Sequence, residues 1–167
     1  MQQSPQTVAR LLEMTYALIQ RERMADVPIL HPDIRVEAVG FREWQGHAVG
    51  ILVTPWFMNL MRVSLEDAKA PSARAVGESF DVALPSGSVE FLQGHEDGFG
   101  NYAMCSLSSP MFDYENHEAA IATAEAAIEA FFDAGEEPAE EQADTPAPSK
   151  TVSRRALFTG LAEAAEQ

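Results

Sequence analysis

Apolar residues recur along this chain first with a helical period and then by alternation. Val8, Leu11, Leu12, Thr15, Leu18 and Ile19 fall three or four positions apart, which predicts a helix over 4–24 with one apolar face. Ser4 suits its N-cap and Pro5 its first turn. Arg21-Glu22-Arg23 closes it with mostly positive charge, as the helix dipole favours. The segment "VPILHPDI" (27–34) carries two prolines and reads as a connector. "IRVEAVGFREW" and "AVGILVTPW" then flank Gln45-Gly46 and predict a hairpin. "FMNLMRVSL" (57–65) predicts a third strand, "EDAKAPSARAVGES" (66–79) a loop, and "FDVALPSGSVEFLQG" (80–94) a second hairpin turning at Pro85-Ser86-Gly87. "HEDGFG" (95–100) is a turn, and "NYAMCSLSS" (101–109) a last strand.

The helical period returns over 114–133. Ala120, Ile121, Ala124, Ala127, Ile128, Phe131 and Phe132 share one side, Glu118, Glu125 and Glu129 lie elsewhere, and Gly135 is the expected stop. Beyond it, "GEEPAEEQADTPAPSK" has no apolar period, and its composition cannot bury a core. The order of elements predicts an α+β domain over 1–134: an antiparallel sheet of about six strands flanked by an N-terminal and a C-terminal helix. Both helices are expected on one face of the sheet. A disordered acidic linker (135–150) and a short tail (151–167) follow.

Charge sharpens this division. The 167 residues carry a net charge of −15. Residues 1–74 hold eight basic and eight acidic side chains, whereas residues 75–149 hold sixteen Asp or Glu and no Lys or Arg. Such a field repels nucleic acid and anionic membrane. It serves solubility, or it attracts a basic partner. No run approaches the ~20 apolar residues of a membrane span. The first residues do not have the layout of a secretory signal, so a cytoplasmic location is expected. The single Cys105 cannot form an internal disulfide, which fits a reducing compartment.

Catalytic chemistry has little purchase here. "GHEDGFG" lacks the following helix and the Lys-Ser/Thr of a phosphate-binding loop. The four histidines show no metal-ligand spacing, and His95-Glu96-Asp97 reads as a polar turn before it reads as a metal site. Cys105, between Met104 and Ser106 on an apolar strand, reads as core packing. No catalytic, cofactor or metal residues are assigned, and the chain is not expected to be an enzyme.

The features that remain concern binding. "TPWFMNLM" (54–61) is apolar on both faces of a strand. It is either a fully buried central strand or an apolar groove that takes a peptide. The client-binding reading groups Trp56, Phe57, Met58, Leu60 and Met61 with His31 and with the acids Glu96 and Asp97. The tail offers a second feature. "SRRALF" (153–158) looks like part of a twin-arginine export signal, but with too short an apolar stretch and at the wrong end of the chain. Arg154 and Arg155 present forked cations, and Leu157 and Phe158 an apolar pair. The tail is self-docking, a docking peptide for a partner, or a structural strap pinned to the acidic domain.

Several segments in order resemble one family. They are Leu30-His31-Pro32, Val53-Thr54-Pro55-Trp56, "LPSGSVEF" (84–91) with Gly94, Tyr102 with "CSLSSP" (105–110), and "RRALF" (154–158). Together they are similar to the HybE/HupJ-type assembly chaperones of [NiFe] hydrogenases. The resemblance implies a small non-catalytic cytoplasmic α+β protein that binds hydrogenase subunit precursors. These would be the small subunit with its twin-arginine signal, or the large subunit, held until cofactor insertion and assembly are complete. A scaffold or adaptor role in the same maturation complex, without signal recognition, is the alternative. Some relatives of this kind work with a rubredoxin-like maturation protein. With one cysteine, this chain has no rubredoxin module of its own.

Overall fold

The computed structural model describes residues 3–134. The expected linker at 135–150 and tail at 151–167, with Gly135, lie outside the described residues. Helix α1 spans Pro5–Arg23. Ser4 caps it, its hydroxyl accepting from the Thr7 N–H at 3.0 Å. Six strands follow: β1 Glu37–Trp44, β2 His47–Val53, β3 Met58–Ser64, β4 Ser79–Leu84, β5 Gly87–Glu96 and β6 Gly100–Ser108. Helix α2 spans His117–Phe131, capped by Asn116, whose side chain accepts from the Ala119 N–H at 2.9 Å.

All pairings are antiparallel, in the order β1-β2-β3-β6-β5-β4. Two three-stranded meanders are therefore joined through their last strands, β3 and β6. Among the described residues no helix is long and apolar enough to cross a membrane.

The helices lie on opposite faces of the sheet, not on one face as expected. One core unites Val8, Leu12, Tyr16 and Ile19 of α1 with Ala48, Leu52, Met61 and Val63. The other unites Ala120, Ala124, Ile128 and Phe131 of α2 with Val49, Ile51, Leu60 and Phe91. The cause is the composition of β2 and β3. They are apolar at consecutive positions, so alternation gives each strand two apolar faces. Both faces must be covered, and one helix covers each. Within α1 the face is also rotated from expectation. Tyr16 is buried and Leu18 is 43% exposed.

The sheet curls around the α2-side core. Its edge strands are farthest apart in the pairing order, yet they touch: Trp44 Nε1 on β1 donates to the Ala83 carbonyl on β4 at 3.0 Å. The Trp44 ring packs edge-on against Phe132 at the end of α2, 5.7 Å between centroids. A bulge between Val39 and Arg42 helps bend β1. There Gly40 adopts φ +67, and an added Cβ would meet Ile128 of α2 at 2.7 Å. Closure of this kind leaves short, protected edges.

Candidate functional site

Three segments meet at the end of the sheet where β2 turns into β3. The turn Thr54-Pro55-Trp56-Phe57 is organised by one buried hydroxyl. Thr54 Oγ1 accepts from the Trp56 and Phe57 N–H groups at 3.2 and 2.9 Å, and Thr54 N–H donates to the Phe57 carbonyl at 2.8 Å. The connector before β1 joins it through the His31 N–H, which donates to the Pro55 carbonyl at 2.9 Å. The loop after β6 joins it through Ser109 Oγ, which donates to the Trp56 carbonyl at 3.3 Å.

His31 ties the same segments from inside. Its Nδ1 accepts from the Asp33 N–H at 3.0 Å, so the ring proton sits on Nε2, which donates to the Tyr114 carbonyl at 2.7 Å. The buried ring stacks on Phe112, 6.1 Å between centroids. The sequence reading groups His31 with candidate client contacts; in the structure its ring is buried and bridges Asp33 and Tyr114.

Trp56 and Phe57 are half-buried and stand edge to face, 5.5 Å apart. On the α1 side they continue into an aromatic cluster. Tyr16 lies 5.6 Å from Phe57 and 6.1 Å from Phe99, and Phe99 lies 5.4 Å from Tyr102. Burial, with smaller contributions from Tyr102 and Glu96, pushes the Tyr16 hydroxyl far above the ordinary tyrosine value. Burial likewise raises Tyr102. Both stay neutral and act as packing groups with a polar tip. Tyr102 fits because β5 carries no side chain where its ring lies: a Cβ on Gly94 would sit 2.5 Å from Tyr102 Cζ. The paired appearance of Gly94 and Tyr102 in the sequence thus has a packing reason.

On the solvent side, Phe112 is 52% exposed and Ile29 37%. With Trp56 and Phe57 they supply apolar surface from three segments. The same segments carry exposed acids: Asp33, Asp113 and Glu115. Phe112 and these acids were not singled out in the sequence. A phenylalanine in a loop without apolar periodicity, beside Asp113, was the available signal.

The other expected client residues fall elsewhere. Met58, Leu60 and Met61 are fully buried, with Met58 and Leu60 facing α2 and Met61 facing α1. They form the interior of a central strand and not the floor of an open groove, because both faces of β3 are covered by helices. Glu96 is occupied by Arg23 at 2.7 Å, near the end of α1. Asp97 is fully exposed, 3.4 Å from His95. Cys105 is buried in the α2-side core. Arg154, Arg155, Leu157 and Phe158 lie outside the described residues.

The domain is a curled-sheet α+β fold with an apolar, acid-bearing end built from turns. The comparisons with known proteins identify its family. The family described as "[NiFe]-hydrogenase assembly, chaperone, HybE" matches residues 7–160, so this chain belongs to the HybE family of hydrogenase assembly chaperones, a non-catalytic class. It is 43% identical over 118 residues to the hydrogenase expression/formation protein HupJ of Bradyrhizobium diazoefficiens, covering 71% of this chain and 68% of that one. It is 35% identical over 116 residues to a Rhodobacter capsulatus protein named "Probable rubredoxin HupJ", covering 70% of this chain but 41% of that protein. The solution structure of HybE from Escherichia coli superposes with a TM-score of 0.62 at 25% identity, covering 89% of this chain and 87% of that one. That likeness agrees with the six-stranded sheet and its two flanking helices.

Proposed function

We propose that this chain binds a hydrogenase subunit precursor at the end of the sheet around Trp56, the client segment being the twin-arginine signal of the small subunit. The reading rests on family membership and on one observation: hydrogen bonds tie the motif-bearing connector, the β2–β3 turn and the β6–α2 loop together, and these segments carry Trp56, Phe57 and Phe112 along with the exposed acids Asp33, Asp113 and Glu115. A twin-arginine signal is two forked cations followed by an apolar run. Its apolar part suits the aromatic surface, and its guanidinium groups suit exposed carboxylates. Holding that signal delays export until cofactors are inserted and the subunits have assembled. The large subunit, or a rubredoxin-like maturation protein, is then a further partner of the same complex.

A second reading has its own support. Met14 (66% exposed) and Leu18 lie four residues apart on the outer side of α1, an apolar stripe that suits a scaffold contact without signal recognition.

Calorimetry separates the two. The full chain is titrated with a small-subunit signal peptide and with a version carrying lysines for both arginines, at low and moderate salt. Signal recognition gives submillimolar binding that weakens with lysine and with salt, falls about tenfold or more in Trp56→Ala, and is unchanged in Met14→Ser/Leu18→Ser. Absence of binding to either peptide refutes signal recognition and favours the scaffold.

A further inference from the structure

The concave side of the curled sheet changes character at the end opposite the Trp56 turn. Inward-facing positions run apolar and then turn polar: Val49 to His47 on β2, Leu60 to Arg62 on β3, Phe91 to Gln93 on β5, Cys105 to Asn101 on β6. These polar residues surround a cavity of about 190 Å³, roofed by the β3–β4 loop. The roof is pinned. Asn101 Nδ2 donates to the Ala70 carbonyl at 2.7 Å, Asn101 N–H to the Ala68 carbonyl at 2.7 Å, and Gln93 Nε2 to Ser72 Oγ at 3.2 Å. The two amides are therefore spent on building the cavity.

Two of the other lining residues are cationic. Arg62 and Arg74 both line the cavity and share one aromatic neighbour. The Arg74 guanidinium carbon lies 3.6 Å from the Phe80 ring centroid, and that of Arg62 lies 5.7 Å from it. Stacking occupies a guanidinium's face and leaves its N–H edge free. Among the described residues neither arginine has an ion pair, in a chain whose net charge is −15. Arg62 Nε is buried without a hydrogen-bond partner. An unmade bond on a buried cationic donor is costly and calls for an acceptor. Asp67 also lines the cavity, and its Oδ1 accepts from the Lys69 N–H at 3.1 Å. Burial and the neighbouring Arg74 charge pull Arg62 below the usual guanidinium value, and burial with both arginines lowers His47. Two cations thus share this space, Asp67 is the one carboxylate among the lining residues, and neither arginine is ion-paired with it.

We propose that this mouth is an oxyanion site, in which Arg62 and Arg74 clamp a phosphate or carboxylate group. A cavity well below the ~300–1,000 Å³ of ordinary ligand pockets takes a small anion or the acidic end of a larger molecule, and not a whole nucleotide. The site is remote from the Trp56 turn and independent of the client reading.

The test is a titration of the uniformly ¹⁵N-labelled full chain, observing arginine Nε–H resonances. Inorganic phosphate and succinate are added separately, with ionic strength held by sodium chloride. A saturable shift of the Arg62 Nε–H signal with either anion supports the site. Phosphate alone points to a phosphate ester, succinate alone to a carboxylate, and both to a general oxyanion clamp. Arg74→Gln, on an exposed loop, weakens the affinity about 10- to 100-fold. Arg62→Gln abolishes it, and should that variant not fold, the wild-type Arg62 signal and Arg74→Gln decide. Shifts that grow linearly, match those from chloride, or persist unchanged in Arg74→Gln overturn the proposal.

Discussion

Replacing Thr54 by valine keeps the side chain's branched shape and removes one oxygen. That oxygen is buried, accepts from the N–H groups of Trp56 and Phe57, and donates to the Phe57 carbonyl at 3.2 Å. The carbonyl keeps the Thr54 N–H as a donor, so two N–H groups lose their acceptor. Each stranded buried donor costs roughly 1–3 kcal/mol. Trp56 and Phe57 are half-buried, so water recovers part of this, and the net cost is about 2–4 kcal/mol. That is a large share of a typical ~5–15 kcal/mol stability, but it leaves a folded protein. Thr54→Ser is the control. It keeps the hydroxyl and removes one methyl, at a cost of about 1 kcal/mol. Urea denaturation measures both, with an unchanged slope showing that only the native state is affected. Calorimetry on the folded variants then tests presentation of Trp56: Thr54→Val binds the signal peptide more weakly than Thr54→Ser. If valine costs less than serine, the hydroxyl does not organise the turn, and the account of the site fails.

Three further outcomes follow from the same structure. Leu60→Ala lowers stability by about 2–5 kcal/mol while the folded fraction keeps its peptide affinity, and a selective affinity loss at unchanged stability would return Leu60 to the binding surface. Gly94→Ala drives a Cβ into the Tyr102 ring and costs about 1–3 kcal/mol, relieved in Gly94→Ala/Tyr102→Leu; equal stability of the two variants would deny that close approach. His47 titrates below the usual imidazole value of 6.5, because burial and then Arg62 disfavour its charged form. The unfolded chain therefore takes up this proton first, and the His47 contribution to stability falls as pH drops below that value. Following the His47 ring by NMR, Arg62→Gln raises its midpoint, and an unmoved midpoint would separate the two residues.

Elements written in local spacing were legible. The α1 period, the Gln45-Gly46 and Pro85-Ser86 turns and the alternation of β4–β6 each follow from neighbours a few residues apart, and the structure returns them with small shifts of boundary. Part of the candidate site was legible too. Trp56 and Phe57 stood out as large apolar side chains next to a proline turn. Met58, Leu60 and Met61 stood out for the same apolarity, yet burial depends on what covers a strand, which its own residues do not encode. Phe112 and Asp113 sit in a loop without a period, and that loop is tied to His31 and to the Trp56 turn by hydrogen bonds between distant segments.

By itself, then, the chain's pattern determined the kinds and order of elements, the doubly apolar character of β2 and β3, and the absence of basic charge over 75–149. Tertiary structure alone decided three things: the two helices on opposite faces, the curl that brings Trp44 to Ala83, and the mouth where Arg62 and Arg74 converge. The physical reason is range. Secondary structure responds to hydrogen bonding and burial within a few residues, so a periodic pattern is enough to specify it. Layering and curvature respond to the demand that every apolar face be covered at once, and that demand is met only by contacts between segments far apart in the chain.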